Sequence, residues 1–530
     1  MSQRARSAGS EVEEGITADE AVLTHRQVMR SRRRVRRWLR RVGWDAIRDT
    51  PIFTSSRQAE CLDAALVSTE PPLLGALAGL DDITGLPVTG DPHRMYRHER
   101  RLIGSPNVCV FGGVDMAKST TVKNQYVIRP WALGTRCAVF DRKVQRAGAG
   151  QAEEDGVGEY ATVAAALEGE WLRFDRRPGR GACINILDPA ITVTGSENTL
   201  VGQDELLLMV AQEATGGPLI DSADYAPHYA LRCAHRTALR RAAKEGRVAI
   251  LPDVVEALYR PDPADIPGPV DDAGRKIVSE LGLVDERTLV RWGLGLAMNL
   301  DRFITGDLSG LIDGETRNAD GGPINLDNRL LVIDTSALSE GSPALGLVMA
   351  IMSSFIMARW ARMPGDKILV LEEAYNAENL VGVPAIFRAI AKRGRGVGAA
   401  VVTVLHHLSD IDPESDLWSL IRECELVHIF RQDKADDAEQ AIRLYNLPVW
   451  LRESMMTLDR GVCIFIRGSK LPRILLRHQR TEFETILNNT EAGMGARAEP
   501  LHAPGPPCLP ASGREGPELN VLRTSLSHDS

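Results

Sequence analysis

The sequence has few aromatic residues and no cysteine pair at zinc-binding spacing. Phe, Trp and Tyr make up 5% of its 530 residues, so a core of Leu, Val, Ile and Ala is expected, which favours an α/β or helical fold. The eight cysteines are scattered without a CxxC spacing, and several lie in apolar runs. This pattern argues against a disulfide framework or a zinc cluster and indicates buried thiols in a reducing cytoplasm.

The sequence also lacks a signal peptide and a clear membrane span. Its first residues are polar and contain no apolar segment before a cleavage site. The longest uncharged run, residues 341–358, is at the lower length limit for crossing a bilayer and contains three serines and a proline. We therefore predict a buried helix there and a cytoplasmic protein. The net charge of −8 argues against nucleic-acid binding by the chain as a whole.

Hydrophobic periodicity divides the chain into seven segments. Alternating apolar runs and helical patterns predict an α/β core with a mostly parallel sheet, interrupted by a region that has few strand signals. The predicted segments are a disordered terminus at 1–20, a basic amphipathic helix at 21–50, an approach segment at 51–100, a first core half at 101–205, an all-helical insertion at 206–325, a second core half at 326–486 and a disordered tail at 487–530.

A glycine-bearing loop follows the first apolar run of the core. The residues GGVDMAKS fit the phosphate-binding pattern G-x-x-x-x-G-K-[ST], between a strand and a helix, with one departure. Backbone amides of such a loop wrap phosphates, its lysine reaches the β and γ oxygens, and its hydroxyl binds magnesium. The predicted nucleotide-binding residues are Gly112, Gly113, Val114, Asp115, Met116, Ala117, Lys118, Ser119 and Thr120.

Two residues of this loop replace glycines that are usual there. Ala117 stands at the second glycine of the pattern, and Asp115 lies where glycine is common. Asp tolerates left-handed backbone angles better than most residues, so we expect the loop shape to survive. A carboxylate ~4–6 Å from the polyphosphate weakens binding by roughly 1–3 kcal/mol at an effective dielectric near 20, unless Asp115 points away. An ordinary strand-to-helix turn is the alternative interpretation.

Two acids end a later apolar run, KILVLEEAY. An NTPase needs one acid at a strand tip for the magnesium shell and a second acid to orient the attacking water. We assign Glu372, together with Ser119, to the metal and Glu373 to the water, although paired acids also occur at helix N-termini. Asp334, at the end of LLVIDTS, is a rival without a second acid, and we interpret it as part of an ordinary strand.

The order of these motifs resembles a known family. The chain is similar to the TraC-like, VirB-type large ATPases of type IV secretion and conjugal transfer, within the FtsK/HerA group of P-loop NTPases. The likeness covers about residues 100–480 and rests on the blocks NVCVFGGVDMAKST, GEYATVAAALEG, INILDP, VLEEAYN, AKRGRGVGAAVVTVLHHLSDI, CELVHIFRQDKADD and GVCIFIRG. It implies a RecA-like P-loop NTPase core that binds ATP and Mg²⁺.

The resemblance assigns catalytic roles to Lys118, Glu373, Arg395 and His406. Arg395 matches an arginine that acts across a subunit boundary on a neighbour's γ-phosphate, and Arg431 is a second candidate. His406 stands where the family usually has a sensor glutamine, and a neutral imidazole still forms hydrogen bonds. Structural or nucleotide-edge positions of the family are matched by Asp141, Glu159 and Tyr160.

The resemblance also implies a motor that hydrolyses ATP in a homo-oligomeric ring, a hexamer, with inner-membrane components of the secretion system as partners. Departures at Asp115, Ala117, Glu372 and His406 imply weakened hydrolysis and leave open whether ATP is hydrolysed or only bound. A HerA/FtsK-like DNA pump or coupling ATPase and a nucleotide-binding scaffold without turnover are the alternatives.

The segment from Arg26 to Arg41 contains nine arginines and no acid. Such a helix fits the phosphates of nucleic acid or an anionic membrane surface, and Trp38 suits a membrane interface. We favour the inner face of the cell membrane, with DNA as the competitor and a solvated helix as the plain alternative.

Overall fold

The computed structural model describes residues 74–145, 156–177, 179–189, 202–219, 225–265, 284–339, 341–372 and 394–488. The predicted disordered terminus 1–20, the predicted basic helix 21–50 and Glu373 lie outside these residues. So does the predicted tail 487–530, except for Leu487, which ends a helix, and Asn488. The described strands are β1 Leu77–Asp81, β2 Pro87–Thr89, β3 Val108–Phe111, β4 Arg136–Asp141, β5 Val144–Gln145, β6 Val157–Gly158, β7 Glu170–Arg173, β8 Leu330–Asp334, β9 Lys367–Glu372, β10 Ala399–Leu405, β11 Leu426–Ile429, β12 Val462–Arg467 and β13 Ile474–His478.

The helices follow the same alternation along the chain. They are Pro92–Arg97, Lys118–Val122, Arg129–Ala132, Ala161–Ala166, Gln203–Thr215, Ala226–Lys244, Leu251–Tyr259, Glu286–Thr305, Pro343–Trp360, Asp416–Arg422, Ala435–Leu444, Leu451–Met456 and Glu482–Leu487, with a π-helical stretch at Lys123–Ile128. Two compact units result. The first comprises the described parts of residues 1–138, 190–209 and 350–480, and the second those of residues 139–189, 210–349 and 481–530.

The sheet of the first unit has the strand order β2-β1-β13-β12-β11-β3-β10-β9. β11, β3, β10 and β9 are parallel, and the strands from β12 to β2 are joined by antiparallel ladders. Every residue of β3, β9, β10 and β11 is buried. Continuous apolar runs of this kind are typical of parallel strands covered on both faces, so the predicted α/β fold is confirmed.

The approach segment 51–100 contributes the antiparallel edge. Its described part contains the short helix Pro92–Arg97 and the strands β1 and β2, which the sequence patterns did not predict, and β1 pairs with β13 near the end of the described chain. β2 has three residues, and β1 begins with the exposed Leu77 and contains Gly79, so neither shows a clear period of two.

In the second unit, helices Ala226–Lys244, Leu251–Tyr259 and Glu286–Thr305 pack on one another. Gly293 allows the close approach, since a Cβ there would lie 3.0 Å from Leu258 and 3.3 Å from Ala230. β7 and β8 form a parallel pair in this unit, and β5 and β6 form a short antiparallel one.

Helix Pro343–Trp360 is, among the described residues, the one helix long and apolar enough to cross a membrane. Of its 18-residue window, 89% is buried within the fold, which confirms the predicted buried helix. The six described cysteines are likewise buried and free of disulfides, as predicted. Burial raises the pKa of the Cys109 thiol on β3 to about 12, so this side chain stays protonated at neutral pH.

Candidate nucleotide-binding site

The loop of residues 112–117 joins β3 to helix Lys118–Val122. Three of its residues have positive φ: Gly112 at 146°, Asp115 at 61° and Ala117 at 71°. Ala117 is the N-cap residue of the helix, and its backbone is in the left-handed conformation. A side chain in this conformation costs roughly 1–2 kcal/mol, which contacts around the loop must offset. Both substituted residues therefore adopt the backbone angles that glycine favours, in agreement with the expectation that the loop shape survives.

The two remaining glycines lie close to the segment that follows β11, and only Gly112 meets atoms that cannot move aside. A Cβ on Gly112 would lie 2.7 Å from the Cβ of Phe430, and a Cβ on Gly113 would lie 2.1 Å from a carboxylate oxygen of Asp433. The Gly113 amide donates to the Arg431 carbonyl at 2.7 Å. The segment that follows β11 therefore contacts the N-terminal end of the loop, at Gly112 and Gly113.

Lys118 is buried, and its ammonium is surrounded by acceptors. Nζ donates to the carbonyl oxygens of Gly112 and Gly113, each at 2.6 Å, and lies 3.3 Å from Nδ1 of His406. A buried cation needs such partners because desolvation disfavours its charge. Lys118 and His406 are brought together because β3 and β10 are parallel neighbours, with Phe111 opposite Leu405.

Asp115 forms an ion pair that the sequence did not predict. Its Oδ1 lies 2.7 Å from Nη2 of Arg460, and the two side chains are 65% and 57% exposed. The carboxylate therefore has a compensating charge at the loop, and the expected penalty of roughly 1–3 kcal/mol for a bare carboxylate is an overestimate for this arrangement.

Glu372 is the last residue of β9, where it is 1% exposed. It lies opposite Val404 of β10, which in turn pairs with β3. Two strand spacings of about 4.8 Å separate the backbone of β9 from that of β3, so about 10 Å lies between them. The acid and the loop therefore occupy the same edge of the parallel sheet, where the carboxyl ends of its strands meet.

The oxygen donors at this edge suit a hard cation. Mg²⁺ prefers oxygen ligands and usually keeps waters and substrate phosphates in its shell, with one or two protein carboxylates. The Ser119 hydroxyl and the Glu372 carboxylate are of this type. In the described part of the chain no group of three or more His, Cys, Asp or Glu side chains is arranged to hold a metal ion.

Arg395 lies at the other end of the sheet. It belongs to the short 3₁₀ turn Gly394–Val397 that precedes β10, and its exposed side chain donates to the Gly104 carbonyl at 3.4 Å. The seven residues of β10 span about 20 Å, so the structure does not bring Arg395 to His406 of its own chain. Its role toward a second copy stays a prediction.

Arg431, the second candidate arginine, follows β11 beside the loop. Its Nε lies 3.5 Å from Oδ1 of Asp433, and its carbonyl accepts from Gly113. Arg431 therefore lies next to loop 112–117 of its own chain, whereas Arg395 does not.

In the second unit, the rival acid Asp334 and the family-matching acid Asp141 accept hydrogen bonds from backbone amides. Asp334 accepts from the amides of Gly158 at 3.0 Å and Ser336 at 2.9 Å, and Asp141 accepts from the Tyr160 amide at 2.6 Å. Both acids are completely buried. This geometry supports the interpretation of Asp334 as part of an ordinary strand.

The sequence did not indicate three residues that lie beside the loop or the end of β10: Arg460, His407 and Asp437. Arg460 precedes a glycine and β12, an arrangement that carries no nucleotide signal. The pair His406 and His407 was visible, but strand alternation alone did not show which partner each ring meets.

Comparisons with known proteins agree with this fold. No family model and no curated protein matches the chain. The solved structure of VirB4 of Thermoanaerobacter pseudethanolicus is similar over 79% of this chain and 100% of that chain, with 18% identity and a TM-score of 0.57. The bacterial conjugative coupling protein TrwBdeltaN70 is similar over 81% of this chain and 92% of that chain, with 12% identity and a TM-score of 0.45, too weak to add support. The likeness to VirB4 confirms the predicted RecA-like P-loop NTPase fold.

Proposed function

We propose that this chain is an ATP-hydrolysing motor of a type IV secretion or conjugation system. The observation that carries the proposal is the buried Lys118, which begins the helix after loop 112–117. Its ammonium donates to two loop carbonyls and contacts His406, next to the strand that ends in Glu372. The fold shared with VirB4 and the order of the sequence motifs support the assignment to this class of ATPase.

The residues of the site have separate tasks in this reaction. The loop amides and Lys118 bind and orient the triphosphate, and Ser119 and Glu372 would hold Mg²⁺, which neutralises charge on the phosphate oxygens when bound. Glu373 orients the water that attacks the γ-phosphorus, and ADP leaves. Such catalysis depends on positioning and on charge stabilisation rather than on a covalent intermediate.

A ring of copies completes the site in this proposal. Arg395 is exposed and distant from the phosphate loop of its own chain, so a second copy, in a homohexamer, would supply it to the γ-phosphate. Arg395→Ala should lower ATP turnover and leave ATP binding by single chains unchanged. Light scattering with and without a non-hydrolysable ATP analogue tests the ring itself.

The decisive experiment compares ATP hydrolysis by wild type, Lys118→Ala and Glu373→Gln. We expect turnover in the wild type, loss of binding and turnover in Lys118→Ala, and binding without turnover in Glu373→Gln. Stimulation by DNA would favour a DNA-pumping or coupling ATPase instead. ATP binding with a turnover that Glu373→Gln does not lower would identify a nucleotide-binding scaffold.

We also propose a cytoplasmic location at the inner face of the cell membrane, through the arginine-rich segment 26–41. Flotation with anionic vesicles should carry the full chain upward, and substitution of these arginines by glutamine should abolish flotation. A gel shift with double-stranded DNA and no flotation would contradict the membrane assignment.

A further inference from the structure

A buried carboxylate holds the turn that follows the sensor strand β10. Asp437, in the first turn of helix Ala435–Leu444, is completely buried. Its Oδ2 lies 2.8 Å from Nδ1 of His407, and its Oδ1 accepts from the Ser409 amide at 3.0 Å. One side chain thus fixes both the ring of His407 and the backbone two residues later.

This turn carries His406, the side chain that contacts Lys118. Successive residues of an extended chain point to opposite sides. His407 accordingly faces helix Ala435–Leu444, while Nδ1 of His406 lies 3.3 Å from Nζ of Lys118 on the side of loop 112–117. Because the two histidines share a peptide unit, a contact that fixes His407 also restricts the direction of His406.

The segment before the same helix braces the loop directly. The Phe430 amide donates to the Phe111 carbonyl at 2.9 Å, and the Arg431 carbonyl accepts from Gly113. Residues 430–437 therefore connect the phosphate loop on one side with the histidine turn on the other.

We propose that Asp437 is a positioning residue, acting through His407 to hold His406 where the γ-phosphate of ATP is recognised. The proposal rests on the proposed function of the site. Under this proposal His406 would meet the terminal phosphate that ADP lacks, whereas the loop would bind both nucleotides. The Asp437–His407 contact would therefore set the preference for a nucleoside triphosphate over a diphosphate.

Affinities of the full-length chain for ATP and ADP, measured by displacement of a fluorescent nucleotide, test this role. We expect Asp437→Ala and His407→Phe to reduce the ATP-to-ADP preference about five-fold or more, the effect of losing one hydrogen bond, with ADP affinity unchanged. Asp437→Asn should retain most of the preference, since its amide still reaches both partners. Asp436→Ala is the control, because it removes the same charge from an exposed neighbour in the same helical turn.

Two results would overturn the inference. Either His407→Phe keeps the wild-type preference, or ATP and ADP affinities fall in parallel, as a loosened fold predicts. His407→Phe decides the question if Asp437→Ala does not fold. Failure of the proposed function would give a different result. Either the wild type would bind neither nucleotide, or the Lys118→Ala variant would bind ATP as tightly as the wild type.

Discussion

The ion pair of Asp115 and Arg460 makes a sharp prediction about nucleotide affinity. Arg460→Ala removes the guanidinium that lies 2.7 Å from the carboxylate and leaves a negative charge on the phosphate loop. Since both side chains are more than half exposed, solvent limits the effect to about 1 kcal/mol, or about a five-fold rise in the Kd for ATP. Titration with a fluorescent ATP analogue at low salt measures it.

The double variant Asp115→Gly with Arg460→Ala separates charge from packing. It should restore wild-type affinity or better, because the uncompensated carboxylate is gone and glycine suits the left-handed position. At high salt the difference between Arg460→Ala and wild type should shrink, since screening weakens interactions of exposed charges. Arg452→Ala is the matched control, as it breaks a similarly exposed pair with Glu439.

This reasoning is refuted if Arg460→Ala binds ATP as tightly as wild type at low salt. It is also refuted if the double variant binds no better than Arg460→Ala. The second result would indicate that Arg460 contacts the nucleotide itself rather than neutralising Asp115.

Three further changes test the loop and the core. Ala117→Gly relieves a left-handed alanine and should raise the thermal midpoint by about 2 °C, measured by calorimetry; a lower midpoint would contradict the strain argument. Gly112→Ala should abolish ATP binding in a titration, since Gly112 has a φ of 146° and its Cβ would lie 2.7 Å from the Cβ of Phe430. Burial lowers the pKa of His428 to about 3, so the unfolded chain takes up a proton below pH ~6.5 that the folded chain does not. The contribution of His428 to the free energy of unfolding should thus fall from pH 6.5 toward about 3, by about 2 kcal/mol at pH 5. In denaturant titrations His428→Leu should reduce the pH slope by this amount, and the slope due to His93, whose pKa burial lowers to about 4, should remain.

The elements that position the site were predictable because they carry local signals. β3, β9 and β10 are uninterrupted apolar runs, and the lysine and acid motifs follow β3 and β9 directly. The short edge strands were missed because neither shows a clear period of two: β1 is held by pairing with β13, hundreds of residues away, and the three-residue β2 pairs with β1 alone.

The contacts that tune the site were not predictable in the same way. Arg460 meets Asp115 across 345 positions, and Asp437 meets His407 across 30. No local pattern encodes such pairs, since they arise only when the sheet order places β12 and helix Ala435–Leu444 beside the loop. From the sequence alone, Asp115 was expected to weaken phosphate binding. Its counter-charge, Arg460, is apparent only in the folded chain.

Calorimetric titration of ATP·Mg²⁺ into purified wild type and Lys118→Ala tests the central claim most directly. We predict saturable binding by wild type that depends on Mg²⁺, and its loss in Lys118→Ala. Wild type that does not bind ATP, or a Lys118→Ala variant that binds it equally well, would contradict the account.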